Sequence, residues 1–429
     1  MADAPVKSHK PSAPGQTQNA ARLELRSLQH SHLHWNISSI NNNPGRGIRS
    51  GVRSPCTVAR RRYGLVKVQA KLCRSTMEAM PHVESAATLA SETCRNVFKH
   101  RRWNCSSIIT APYLTPDLTR ATREQAYVYA ISSAALTFTM ARACSSGSLY
   151  QCTCASKPSS PTNGQFQWGG CGDNIKWGTQ FAKRFIDNVE KYTLEKSKSK
   201  PKRDEGKEED EKVMRNEVAA VNLHNNRVGR KVMTESLQTQ CKCHGVSGSC
   251  NIKTCWKALP PMTVIGQKIL QKYTNAMEIS KYFLDKNLLE STPKKVKSKP
   301  LNSQHLMYIS KSPDYCTKDE KLGSLGTVGS YMKVFLTGRK GQRVVGGFLH
   351  REAFLPCLAI KNRMLTNFYF NRQCNVTSIG QDSCRQLCCG RGYRTVVDEK
   401  IERCQCKFYN CCYVKCKICR TMTQVYECL

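Results

Sequence analysis

The residue types most able to do chemistry crowd into one stretch, Cys241-Lys-Cys-His-Gly-Val-Ser-Gly-Ser-Cys250, continued by Asn-Ile-Lys-Thr-Cys255-Trp256. Ser247 and His244 offer a nucleophile and a base. The nucleophile elbow, however, needs Gly-x-Ser-x-Gly, and Ser249 stands where the second glycine belongs. No downstream acid and base is placed to complete a triad. Cys241, Cys243, His244 and Cys250 offer zinc ligands, but Cys-x-Cys followed directly by His is poor spacing for a tetrahedral site. A third chemistry is a staple. If the bridges nest, Cys243 with Cys250 and Cys241 with Cys255, both close around Ser247 and hold one hydroxyl at the tip of a rigid finger. The plain alternative is a stapled, solvated turn with no further role.

The elements that must position this stretch are a short hairpin and the helices before it. Gln238-Thr239-Gln240 and Lys253-Thr254 make the hairpin arms, and Gly245 and Gly248 supply the positive φ of a tight turn. Upstream, Val83, Ala87, Ala90, Cys94, Val97 and Phe98 share one face at helical spacing. Thr122 to Cys144 has good helix formers and a stripe of small residues, which allows close packing and marks a central helix. A helix through Phe181, Phe185 and Val189 leads into a mixed-charge run, Lys196 to Lys212, read as a solvated loop. The helix then resumes at Val213 and runs through Leu223-His-Asn-Asn-Arg-Val-Gly-Arg230. His224 there reads as a cap or core residue before it reads as a ligand. Beyond Pro260-Pro261, a short amphipathic helix carries Ile265, Ile269, Tyr273 and Met277, and a basic linker follows.

Composition sets the compartment. Twenty-five cysteines in 429 residues point to an oxidising secretory environment. Lys and Arg total 67 against 31 Asp and Glu, a net charge of +36, which calls for a polyanionic partner. Outside the cell that is heparan sulfate; no zinc-finger, RNP-type or helix-turn-helix signature favours nucleic acid. Residues 1–55 are polar and lack the roughly 7–15-residue apolar core of a signal peptide. They read as a disordered, atypical N-terminus from an alternative first exon. No run of about 18 apolar residues appears elsewhere to span a membrane.

Cys-His-Gly-Val-Ser-Gly-Ser-Cys followed by Cys-Trp resembles the signature of the Wnt family of secreted signalling proteins. Arg102-Trp-Asn-Cys-Ser106, Trp168-Gly-Gly-Cys-Gly-Asp-Asn174 and the Leu223–Arg230 run resemble it too. Ser106-Ser-Ile-Ile-Thr-Ala-Pro-Tyr-Leu114 and Ser312-Pro-Asp-Tyr-Cys316 are similar to its eleventh vertebrate subgroup. The resemblance implies an α+β, disulfide-rich fold: a helical N-terminal domain (56–257) bearing the hairpin 238–257, a helix and basic linker (258–315), and a small cystine-rich β domain (316–429). It implies no enzyme and no cofactor, but a monounsaturated fatty acyl on Ser247, added by a membrane-bound O-acyltransferase. The ligand would grip the Frizzled cysteine-rich domain through Val246 and acylated Ser247 on one side and Phe408, Tyr409 and Asn410 on the other. Wnt co-receptors, a Wntless carrier and heparan sulfate proteoglycans complete the implied partners, with extracellular location and β-catenin-independent output. Asn36, Asn104 and Asn375 open N-glycosylation triplets. A Ser/His hydrolase using Ser247 and a basic polyanion-binding protein kept in the cell are the rival functions.

The chain departs from the family pattern twice. Residues 328–370 intervene between the resembling stretches 56–327 and 371–429, and they contain Cys357. Removing them leaves an even cysteine count. The segment opens on Val328, whose codons begin with the intron-start dinucleotide, and closes on Phe368-Tyr-Phe370, as a translated pyrimidine tract would; it reads as a retained intron. The second departure lies in the finger, where the family's Phe-x-Trp-Cys-Cys is Phe408-Tyr-Asn410-Cys411-Cys412. An amide there replaces an aromatic anchor.

Overall fold

The computed structural model describes residues 56–57, 60, 65–110, 116–162, 164, 166–198, 206–279, 304–319, 321–327, 330–333, 367–370, 372–409 and 413–429. Asn36, Cys357, Asn410, Cys411, Cys412 and most of 328–370 lie outside the described residues.

The N-terminal half is a helical assembly around one buried helix. In chain order it comprises α1 (Lys67–Ser75), α2 (Met80–Phe98), α3 (Arg123–Ser145), β1 (Gln167–Trp168), α4 (Ile175–Phe185), α5 (Asp187–Lys198) and α6 (Gly206–Glu235). Thr122 caps α3 by accepting the Gln125 amide at 3.2 Å, which satisfies a donor that the first turn otherwise orphans. Helices α2, α4, α6 and α7 (Met262–Thr274) surround α3, which is buried on every face for most of its length. The small residues make this possible. A Cβ on Gly229 of α6 would sit 2.1 Å from the Ala130 carbonyl oxygen of α3, so the two backbones meet with no side chain between them. Phe98, at the end of α2, meets Trp103, Tyr127 and Tyr273 edge-on at 4.7, 4.7 and 5.1 Å.

The helices extend further into the charged run than its composition suggests. Helix α5 continues to Lys198 and α6 begins at Gly206, because Glu and Lys are good helix formers and need no apolar partner to propagate a helix already begun. Phe181 and Val189 also belong to two helices that meet at Ile186, and Met277 lies beyond its helix, in a strand.

The hairpin pairs β2 (Gln238–Cys243) with β3 (Lys253–Ala258), and β1 adds to β3 in parallel. Small pairs follow: β4 (Met277–Glu278) with β5 (Met307–Tyr308), β6 (Lys318–Asp319) with β7 (Ser324–Leu325), and β8 (Ser330–Lys333) with β9 (Asn367–Phe370). The C-terminal part is a three-stranded sheet in the order β10 (Gln373–Cys374), β12 (Tyr413–Cys428), β11 (Tyr393–Tyr409), with one turn of helix α8 (Cys384–Leu387). Its core is largely cystine: Cys374, Cys384, Cys388 and Cys428 cluster with Leu387. The sulfurs of Cys374, Cys388 and Cys428 lie within 4.8 Å of one another, but they belong to the disulfides Cys374–Cys384 and Cys388–Cys428 and are no metal site. Further bridges join Cys404–Cys419 and Cys406–Cys416 along the long hairpin, and Cys316–Cys389 at its base. A two-stranded ribbon of this length has little apolar burial of its own, so covalent rungs carry its rigidity. The α+β, disulfide-rich architecture is the one the sequence implies. Among the described residues no helix is long and apolar enough to cross a membrane.

Candidate functional site

The tip of the β2–β3 hairpin is built by its covalent frame. Cys241 faces Cys255 across the strands and is bonded to it, and Cys243 is bonded to Cys250 nearer the tip. Every sulfur of the stretch is thereby in a disulfide, which leaves no thiolate for zinc. Between the inner pair, the His244 amide donates to the Ile252 carbonyl at 2.7 Å and the Gly245 amide to the Ser249 carbonyl at 2.8 Å. The chain then turns through Val246–Gly248 in a single 3-10 turn. Ser247 itself adopts the left-handed conformation, φ 56°, and Gly248 follows at φ +78°. Gly245 does not: its φ is −71°, and its need for glycine is steric, since a Cβ there would lie 2.6 Å from the Ser249 carbonyl oxygen. A serine held at positive φ is uncommon, and here it turns the hydroxyl outward at the apex. Val246 is 89% exposed and Ile252 64% exposed, so this end of the hairpin presents apolar side chains to water. Ile252 was not among the residues singled out by sequence; its place across from His244 only emerges with the register.

The hairpin's base is seated on the Trp168–Asn174 loop. The Gly169 amide donates to the Cys255 carbonyl and the Asp173 amide to the Lys257 carbonyl, both at 3.0 Å. The buried Asp173 carboxylate accepts from the Leu259 amide at 2.7 Å and the Ser145 hydroxyl at 2.8 Å. Asn174 caps α4 through the Trp177 amide at 3.0 Å. Lys257 lies 5.5 Å over the Trp168 ring and donates to Thr239 at 2.8 Å. One loop thus fastens the hairpin to both α3 and α4.

The Leu223–Arg230 run serves the scaffold. Buried His224 contacts the His305 carbonyl through Nε2 at 2.9 Å, and desolvation lowers its pKa. The Asn225 side-chain amide donates to the Met307 carbonyl and accepts its amide, each at 2.9 Å, tying β5 to α6. Arg230 grips Asp187 bidentately at 2.9 and 2.8 Å.

The second candidate surface is the far end of the β11–β12 hairpin. Phe408 is 72% exposed and pairs in register with Val414; Tyr409 stacks on Tyr413 at 5.4 Å. A register shift between Cys404 and Lys407, with Gln405 at φ 46°, reorients the end relative to the stem. Of the glycosylation candidates, Asn375 is exposed and its Oδ1 accepts from the Thr377 amide and hydroxyl at 3.0 and 2.9 Å. Asn104 is half-buried beside Cys105, which is bonded to Cys94.

A model of the wnt family matches residues 61–337 and 363–429. Protein Wnt-11b-1 of Xenopus tropicalis is 39% identical over 365 residues, 85% of this chain and 86% of that protein. Protein Wnt-11 of Gallus gallus is 38% identical over 372 residues, with the same shares covered. Among solved structures, a chain in human WLS in complex with WNT8A is 28% identical, spans 82% of this chain and 94% of its own, and superposes with a TM-score of 0.47.

Proposed function

The chain belongs to the Wnt family and is a Wnt-11-like member of it; from that premise we propose that it is a secreted ligand of Frizzled receptors, active through a fatty acyl chain on Ser247. The observation that carries this reading is the apex itself: an exposed serine on left-handed backbone, framed by two disulfides on a hairpin end that also exposes Val246 and Ile252. A membrane-bound O-acyltransferase needs an accessible hydroxyl on a defined backbone, and this turn offers one. Once attached, a monounsaturated chain contributes about 0.8 kcal/mol per buried methylene, so it dominates what the hairpin binds. The acyl chain lies in an apolar groove of the Frizzled cysteine-rich domain, and the Phe408–Tyr409–Asn410 end grips the opposite side.

The same lipid makes free diffusion unfavourable, so a Wntless-type carrier is required during export, and heparan sulfate retains the cationic protein on cells and matrix. Glycans are carried at Asn375 first, whose side chain is exposed and already ordered around Thr377. Output through Frizzled and a co-receptor is β-catenin-independent, as the subgroup implies. Binding of detergent-solubilised protein to a Frizzled cysteine-rich domain tests the proposal. Ser247→Ala should lower affinity by at least about a hundredfold, the loss of roughly 3 kcal/mol of apolar burial, with secondary structure unchanged. Equal affinity of wild type and Ser247→Ala would overturn it.

A further inference from the structure

The proposed receptor contact uses only the far end of the β11–β12 ribbon and leaves its stem without a role. From Tyr393 to Arg403 the stem contains no cysteine, so none of the ribbon's covalent rungs starts there. β11 is the outermost strand of its sheet, and among the described residues no strand pairs with its outer edge. Val397, Ile401, Ile418 and Met422 are each more than half exposed. The register sets Val397, Glu399, Ile401 and Arg403 on one face with Met422, Arg420 and Ile418. Ile401 thus has Met422 and Ile418 as diagonal neighbours, and the face carries an apolar spot open to water. The Thr421 and Thr423 hydroxyls reach the Lys400 and Asp398 carbonyls from β12. Those carbonyls therefore face inward, and the amides and carbonyls of Glu399, Ile401 and Arg403 face the open edge.

We propose that this edge pairs with the same edge of a second copy of the chain, β11 antiparallel to β11 and centred on Ile401. Charge on a free edge ordinarily keeps copies apart, but the order of signs in Glu399-Lys-Ile-Glu-Arg403 is complementary to its own reverse. With Ile401 opposite its counterpart, Lys400 meets Glu402 of the other copy and Glu399 meets its Arg403, and the two-fold axis repeats both contacts. The nearest registers fail. Sliding by one residue sets Glu399 against Glu402 in one direction and Lys400 against Arg403 in the other; sliding by two sets Lys400 or Glu402 against itself. Within one chain, Lys400 lies 2.5 Å from Glu402 and Arg420 lies 3.2 Å from Glu399, so pairing extends these contacts into runs of alternating sign. The two apolar spots meet across the axis. The product is a four-stranded sheet in the order β12, β11, β11, β12, whose two Phe408–Tyr409 ends point in opposite directions and stay free.

The test is sedimentation equilibrium of the full chain in density-matched detergent, expressed behind a supplied signal peptide. Every sample carries Ser247→Ala, so that no acyl chain holds copies together and the result is independent of acylation. The parent should dimerise with a Kd of about 10 μM or tighter. Lys400→Glu alone and Glu402→Lys alone each set like charges across the axis and should weaken dimerisation by about tenfold or more. An equimolar mixture of these two variants should dimerise within about threefold of the parent, because every contact between positions 400 and 402 is again opposite in sign. The pair within each chain stays broken in both, so recovery on mixing reports contact between chains. Lys400→Glu/Glu402→Lys in one chain should also dimerise like the parent. A monomeric parent, a dimer that neither single variant weakens, or a mixture that associates no more than its components would overturn the proposal.

Discussion

At Ser247 the left-handed backbone and the exposed side chain depend on neighbours that the sequence names but does not arrange. The Cys-Gly-Ser pattern marks the turn and its midpoint. It does not tell which residue takes positive φ, because Ser247 and Gly248 take it together while Gly245 stays extended. At Asn410 the departure is chemical: an amide stands where the family presents an indole. If the Phe408–Tyr409–Asn410 end is a binding hot spot, Asn410→Trp should raise affinity for the Frizzled cysteine-rich domain by roughly 1–4 kcal/mol. Titration of the two proteins side by side checks it. Glu190 makes a different demand. Burial raises its pKa to about 8, and the Tyr129 hydroxyl donates to it at 3.1 Å. An acid whose folded pKa lies above its unfolded value keeps a proton that the unfolded chain releases, so stability is full below about pH 4.5 and falls as pH rises through about 8. The slope from this group reaches at most about 1.4 kcal/mol per pH unit. Glu190→Gln should flatten the fall in Tm between pH 5 and 8 and raise Tm at the upper end, leaving the contribution of buried Glu124, whose pKa burial also raises.

Among the elements, the packing of α3 against α6 is the most sensitive to single atoms. Gly229→Ala places a methyl against the backbone of Ala130, with the carbonyl oxygen 2.1 Å away, and should cost about 1–3 kcal/mol. Because the contact is with backbone, Ala130→Gly should not rescue it; thermal melts of the single and double variants decide. The helix pattern was readable from Val83, Ala90, Cys94 and Phe98, which all turn inward on α2, and from the small residues of α3. The helix limits in the Lys196–Lys212 run were not, because charge composition alone does not distinguish a solvated loop from a solvated helix. Nor did His224, Asn225 and Arg230 announce their partners. Polar residues on a helix read as surface until the chain brings Asp187 and residues 305–307 against them. Seating of the hairpin on residues 169–173 is of the same kind, since it joins segments more than eighty positions apart. The connectivity of the C-terminal cystines stays closed to sequence reading because every pairing satisfies the same count.

For the molecule as a whole, polar contacts tie the cystine-rich C-terminal part to residues 101–102 of the helical part. Arg372 donates to the carbonyls of Arg101 and Arg102, and Arg102 donates to the Gln386 carbonyl at 3.0 Å. The family match stops at residue 337 and resumes at 363, inside the segment that the sequence departs through. Deleting residues 328–370 removes Cys357 and leaves an even twenty-four cysteines, so the shortened chain, expressed behind a supplied signal peptide, should be secreted in higher yield and run as a single species on non-reducing gels. A lower yield, or more mixed disulfides than the full chain, would show the segment to be part of the folded protein. The account turns on Ser247. Mass spectrometry of the peptide containing it, from protein expressed in animal cells behind a supplied signal peptide and collected in detergent, should find a monounsaturated fatty-acyl adduct on Ser247. An unmodified Ser247 in well-secreted protein would contradict the proposed mechanism.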